Sequence, residues 1–316
     1  LGFCHVFNVL IQLTVNAMTK GFVSGEEFAR WYATARQRAI AHGIEPGELD
    51  WLLQGWTDLD RLTLRLQDFA HREIVLQETW ENIQRGWGRR VEEKYPVQYL
   101  LGHTQWRNFD LKVTSDVLIP RPETELIIDI VQNQSDQWGL RDSSDHWVDL
   151  GTGSGALALG LASLFPHALV HGVDCSAPAL VIARENAENN QLGDQIQFHQ
   201  GHWWEPLGHL RGQIRGMVSN PPYIPQKELP QLQPEVINHE PLLALDGGPN
   251  GLEAVEQLIR RSPAYLKPGG FWLVEIMAGQ APIVAELLRA SGAYQDIQID
   301  RDLGGIERFV SARTLG

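Results

Sequence analysis

The chain is short of cysteine and of positive charge. Among its 316 residues there are two cysteines, Cys4 and Cys175, and 26 Lys+Arg against 39 Asp+Glu, a net charge of −13. Two cysteines are too few for a disulfide framework or a cysteine-rich zinc site. The acidic balance, with a pI near 5.3, speaks against broad sequence-blind binding of nucleic acid, which needs a basic surface. No stretch reaches the ~20 apolar residues of a membrane-spanning helix, and no repeat or low-complexity tract appears. What remains, 43% hydrophobic and 21% charged residues, is the composition of an ordinary globular protein long enough for two domains.

Residues 1–17 begin with Leu1 and carry no Lys, Arg, Asp or Glu. They lack the basic start of a secretory signal and read as a mis-assigned or non-native extension, with Met18 as an ordinary start. Residues 18–95 read as a small helical domain. Phe28, Trp31, Tyr32, Ala35 and Ala39 recur at helical spacing after Ser24-Gly25-Glu26-Glu27, and further helices are expected from Asp50 and over His71 to Lys94. Residues 96–118 read as a linker with a β-hairpin, because Gln105 to Val113 alternates apolar and polar residues. Residues 119–316 alternate strand and helix, beginning with Trp147-Val148-Asp149-Leu150 and closing on strands at Ile297–Ile299 and Phe309–Ala312. That pattern predicts an α/β fold: a doubly wound sheet with a C-terminal antiparallel hairpin.

Two motifs carry chemistry. Asp149-Leu150-Gly151-Thr152-Gly153-Ser154-Gly155 follows a strand and opens a helix, and Asp174 ends the next strand. Glycines let a ligand touch the backbone, the helix start offers unpaired N–H groups, and the carboxylate can accept ribose hydroxyls. The spacing is G-x-G-x-G rather than the G-x-G-x-x-G of dinucleotide sites. With an acid two residues earlier, it suits a nucleoside bearing an amino-acid tail, S-adenosylmethionine. The second motif, Asn220-Pro221-Pro222-Tyr223, follows a strand and therefore stands at the ligand-binding edge of the sheet. Its prolines delete two N–H donors and stiffen the turn. The Asn220 and Pro221 carbonyls can accept both hydrogens of a planar NH2 group and aim its lone pair at a sulfonium methyl, with Tyr223 stacking alongside. Orientation of that kind is worth up to roughly 7–11 kcal/mol. Arg121 and Glu123 read either as shaping the site entrance or as a helix cap and ion pair. His199, His202 and His239 read as surface or packing residues.

Together these segments, with Pro96 to Gly102, Leu118-Ile119-Pro120-Arg121-Pro122-Glu123-Thr124-Glu125, His239-Glu240-Pro241 and Asp302 to Arg308, resemble the PrmC/HemK family of protein-(glutamine-N5) methyltransferases over about residues 20 to 314. The resemblance implies a class I S-adenosylmethionine-dependent methyltransferase fold, Rossmann-like, behind the helical domain. It implies that S-adenosylmethionine is held by Gly151, Thr152, Gly153, Ser154, Gly155, Asp174, Trp203 and Asn220. It further implies that Asn220, Pro221, Pro222 and Tyr223 bind the substrate glutamine, with Asn220, Pro221 and Tyr223 catalytic and no metal. The partner so implied is a class I peptide-chain release factor, modified at its Gly-Gly-Gln motif in the cytoplasm and docked by the helical domain, with no direct nucleic-acid or membrane contact. Trp204, beside Trp203, competes for the adenine position. The family pattern has Gly two residues after the Glu of the fifth strand, whereas Glu275 is followed here by Ile276 and Met277. The alternative reading is an adenine-N6 or guanine-N2 nucleic-acid methyltransferase, since Asn-Pro-Pro-Tyr turns serve those as well.

Overall fold

The computed structural model describes residues 21–138 and 144–315; the extension read over residues 1–17 lies outside them. The chain divides into two compact units, the first ending at Leu101 and the second beginning at Gly102.

The first unit contains β1 (Phe22–Ser24), α1 (Gly25–Ala41), α2 (Pro46–Trp56), α3 (Arg61–Leu66), β2 (Glu73–Val75), α4 (Trp80–Glu92) and α5 (Val97–Leu101). The Ser24 hydroxyl accepts from the Glu27 N–H and caps α1. The helix buries Phe28, Tyr32, Ala35 and Ala39, and Phe28 meets Phe69 edge-on at 4.9 Å. Trp87 is buried and donates to the Ala35 carbonyl at 3.2 Å. One expectation is corrected. The helix read over His71 to Lys94 is interrupted: Glu73–Val75 is a strand, paired antiparallel with β1 through Val23 opposite Ile74. The pair Ile74-Val75 favours extended backbone, and Asp58 fixes it by accepting from the Val75 N–H at 3.0 Å. The helix starts only after Thr79, whose hydroxyl accepts from the Asn82 N–H.

The second unit opens with the hairpin β3 (His103–Trp106) and β4 (Phe109–Lys112). Trp106, Phe109 and Leu111 share one apolar core with Ile127, Ile128 and Trp147. A short 3-10 turn, Glu123–Glu125, leads into α6 (Leu126–Trp138). Then come β5 (His146–Leu150), α7 (Ala156–Leu164), β6 (Leu169–Asp174), α8 (Ala177–Asn189), β7 (Ile196–Gln200) and β8 (Ile214–Ser219). They are followed by α9 (Pro234–His239), α10 (Glu253–Arg261), β9 (Leu266–Glu275), α11 (Ala281–Ser291), β10 (Tyr294–Arg301) and β11 (Glu307–Thr314). The seven strands lie in the order β10-β11-β9-β8-β5-β6-β7. The pairs β9–β8, β8–β5, β5–β6 and β6–β7 are parallel. Strand β11 runs antiparallel between β9 and β10. This is the doubly wound sheet with an antiparallel terminal hairpin.

The central strands read as unbroken apolar runs because both faces are covered by helices: Phe271 to Glu275 is buried throughout. From β5 the chain winds outward to β6 and β7, and β8 then returns to the other side of β5. That reversal opens a crevice at the carboxyl ends of the strands, where ligands bind in such sheets.

Candidate active site

A cavity of about 290 Å3 occupies this crevice. One side of it follows the strand ends: Gly151 and Gly153 after β5, Asp174 and Cys175 at the end of β6, Gly201 to Trp203 after β7, Asn220 after β8; Leu118, Pro241 and, on α10, Glu253 are among the residues that line the rest. Gly151 and Gly153 have φ of +78° and +52°, conformations that a side chain would strain. At Gly153 nothing stands within 4 Å of a would-be Cβ, so the backbone there faces open space.

Gly155, Thr152 and Ser154 stay out of the lining and support the loop from behind. The Thr152 hydroxyl donates to Asp149 Oδ2 at 2.6 Å. Asp149 is fully buried, and its carboxyl is pushed up to about 7, chiefly by burial. The Ser154 carbonyl accepts from Asn186 Nδ2. A Cβ on Gly155 would meet Ala183 at 3.3 Å, so this glycine sets the approach of α7 to α8.

Asp174 is held in place by two backbone N–H groups. Its Oδ2 accepts from the Gly153 N–H at 2.9 Å and its Oδ1 from the Ser176 N–H at 2.8 Å. The carboxylate is thereby fixed at the cavity wall, with lone pairs left over to accept hydroxyls. The two tryptophans separate cleanly. Trp203 lines the cavity and its ring stands beside Gly151. Trp204 is fully buried and stacks on Tyr265 at 4.6 Å.

Of the Asn220–Tyr223 turn, Asn220 and Pro222 line the cavity, and Pro221 and Tyr223 do not. Asn220 Nδ2 donates to the Thr124 hydroxyl at 3.1 Å, and that hydroxyl donates to Glu275 Oε2 at 2.6 Å. The Tyr223 hydroxyl donates to Glu275 Oε1 at 3.1 Å. Burial, and then the Glu275 charge, hold the Tyr223 phenol well above its ordinary range, so it stays a donor. Gln280 Nε2 donates to the carbonyls of Tyr223 and Gly251. Its Oε1 accepts from the Met277 N–H, so the Ile276-Met277 loop, without the family glycine, is tied directly to the Asn220–Tyr223 turn. Arg121 donates to Glu240 Oε1 at 2.6 Å, and the Glu240 side chain is buried. The pair joins the segment before the 3-10 turn to the one after α9, and both segments contribute to the lining, through Leu118 and Pro241.

Sequence reasoning missed Thr124, Glu275 and Gln280. It also missed a chain of imidazoles. His146 Nδ1 meets His171 Nε2 at 2.9 Å, and His171 Nδ1 meets His199 Nε2 at 3.0 Å. His199 thus has a packing partner.

Comparison with known proteins settles the family. Residues 124–241 match the methyltransferase small domain. The chain is 83% identical to the release factor glutamine methyltransferase of Synechocystis sp. over 94% of this chain and 100% of that protein. The family belonging follows directly. This chain is a member of the release factor glutamine methyltransferases. The Thermosynechococcus vestitus member is 45% identical over 92% of this chain and all of its own length. The Moorella thermoacetica member is 38% identical over 87% and 94% of the two chains. Among solved structures, the hMettl16 catalytic domain aligns over 83% of this chain and 88% of its own with a TM-score of 0.52 at 15% identity, a likeness of fold. Among the described residues, no helix is long and apolar enough to cross a membrane.

Proposed function

We infer that this release factor glutamine methyltransferase relative transfers a methyl group from S-adenosylmethionine to the side-chain amide nitrogen of a release-factor glutamine. The observation that carries the reading is the pairing of near full-length identity to such enzymes with Asn220 standing in the same cavity as Gly151, Gly153 and Asp174.

The donor set fits that cofactor. Asp174 accepts the ribose hydroxyls, Trp203 offers a flat face for adenine, and the Gly151–Gly153 backbone faces the amino-acid tail. S-adenosylmethionine supplies the electrophilic methyl. The protein supplies orientation. Asn220 Oδ1 and the Pro221 carbonyl accept the two hydrogens of the glutamine amide, which weakens its delocalisation and directs the nitrogen lone pair. The stiffness of the two prolines keeps those acceptors in place without reorganisation. The nitrogen–methyl bond forms as the sulfonium carbon–sulfur bond breaks, and the N-methylated amide, strongly acidic at nitrogen, releases its extra proton to water.

The substrate is then the glutamine of a Gly-Gly-Gln motif in a class I release factor, with residues 18–95 as the docking domain and the cytoplasm as the compartment. The nucleic-acid alternative is not favoured: the relatives are named for a protein substrate, and the chain carries a net charge of −13. Incubation with a purified class I release factor and methyl-labelled S-adenosylmethionine tests the reading. Label in the release factor is expected. Confirmed cofactor binding with no label there, or label entering nucleic acid with a steep salt dependence, would overturn it.

A further inference from the structure

The Asn220 amide could in principle face the cavity with either end, since its oxygen and nitrogen are distinguished only by their partners. The surrounding bonds decide it. Thr124 Oγ1 has one proton, and that proton is committed to Glu275 Oε2 at 2.6 Å. The hydroxyl can therefore only accept from Asn220, and the group it meets at 3.1 Å is Nδ2. Oδ1 is left as the end that meets a ligand. The other carboxylate oxygen of Glu275 accepts from Tyr223, so one side chain at the end of β9 holds both ends of the Asn-Pro-Pro-Tyr turn. Thr124 and Glu275 are themselves 4% and 2% exposed, so water does not compete for these bonds. Arg308 and Glu123 are the other charged groups that act on Glu275.

We propose that Thr124 and Glu275 are positioning residues for methyl transfer, a buried carboxylate–hydroxyl relay that presents Asn220 to the substrate amide oxygen-first. The proposal rests on the reading of Asn220 as the substrate-amide acceptor. Without the relay, the Asn220 amide is free to turn and offer its NH2 group, which repels the NH2 group it should accept from. The relay also explains why a threonine, rather than any small residue, stands in the Pro122-Glu123-Thr124-Glu125 segment, where only a hydroxyl can accept and donate at one atom.

Thr124→Val keeps the shape and deletes the hydroxyl. The single-turnover methylation rate is expected to fall at least tenfold, with the cofactor Kd within twofold of wild type, and Thr124→Ser is expected to restore the rate to within about threefold. Glu275→Gln is expected to lower the rate similarly. A Thr124→Val protein that methylates at the wild-type rate, or one that loses rate only in proportion to cofactor affinity, would overturn the proposal. A readout without substrate separates this from failure of the functional reading. In the free protein the Asn220 side-chain amide protons are expected to exchange slowly by NMR, and to lose that protection in Thr124→Val. Unchanged protection would overturn the relay even if the wild type proved inactive on release factors. Lost protection in an inactive wild type would keep the relay and discard the substrate.

Discussion

The two sides of the cavity are built in different ways. The side that we assign to the cofactor is local. Gly151 to Gly155 is one turn, and Asp174, at the end of the next strand, accepts from the Gly153 N–H of that turn and from the Ser176 N–H beside it. The side that we assign to the substrate is assembled from afar: Asn220 and Tyr223 are held by Thr124, Glu275 and Gln280, which arrive on a 3-10 turn, a strand end and a helix start. A site that recognises a constant molecule can be written in one short motif. A site that must orient a reacting amide needs its polar groups locked, and that locking draws on packed elements far apart in sequence.

Substitutions on each side should separate these roles. The largest effect is expected at Asn220. Asn220→Ala removes the acceptor and is expected to lower the single-turnover rate about 10²–10³-fold, the scale of losing a preorganised donor or acceptor to the transition state, with the cofactor Kd within a few-fold by calorimetry. Comparable losses in both would erase the distinction between the two sides. On the cofactor side, Asp174→Ala is expected to weaken cofactor binding by about 2–4 kcal/mol through two lost charge-assisted hydrogen bonds, while the rate at saturating cofactor recovers much of its value. The tryptophan pair sharpens the contrast. Trp204→Ala is expected to lower stability by about 3–5 kcal/mol, the cost of emptying a buried aromatic site, read as a drop in the urea midpoint. Trp203→Ala is expected to cost about 1–3 kcal/mol of cofactor affinity, the scale of a base stacking on an aromatic ring, with little change in that midpoint.

The smallest effect concerns the imidazoles on one face of the sheet. Burial first, and then His199, His146 and His209, hold the His171 imidazole down at about 3, against about 6.5 in an unfolded chain. Above pH 6.5 it is neutral in both states and contributes no pH dependence. Below that, the unfolded chain takes up a proton that the native protein refuses, so stability falls as pH falls, by up to about 1.4 kcal/mol per unit. Urea midpoints at pH 7.5 and 5.5 should therefore converge in His171→Asn relative to wild type. Identical slopes in the two proteins would contradict this.

The sequence made the cofactor loop, its acid and the Asn-Pro-Pro-Tyr turn readable because each is contiguous and follows an apolar strand. The sheet was readable for the same reason: strands buried on both faces stand out against amphipathic helices. The relay was not readable, because nothing in the segment around Thr124 indicates that its hydroxyl meets a carboxylate 151 residues on. Glu275 was visible only as the strand-end acid of the family pattern, with no partner assigned to it. The histidine chain depends on register: Val148 lies opposite His171, and Val173 opposite His199, so the three rings step diagonally across one face. The strand at Glu73–Val75 was lost because its three residues are too few to show a period of two, and apolar spacing on either side mimics a helix.

The most direct test of the account is peptide mass spectrometry of a class I release factor after incubation with S-adenosylmethionine and either the wild-type protein or Asn220→Ala. The account predicts one added methyl group on the side-chain amide of the Gly-Gly-Gln glutamine with the wild type, and less than about one-hundredth of that yield per unit time with the variant. A methyl group at another residue, or equal yields from the two proteins, would contradict it.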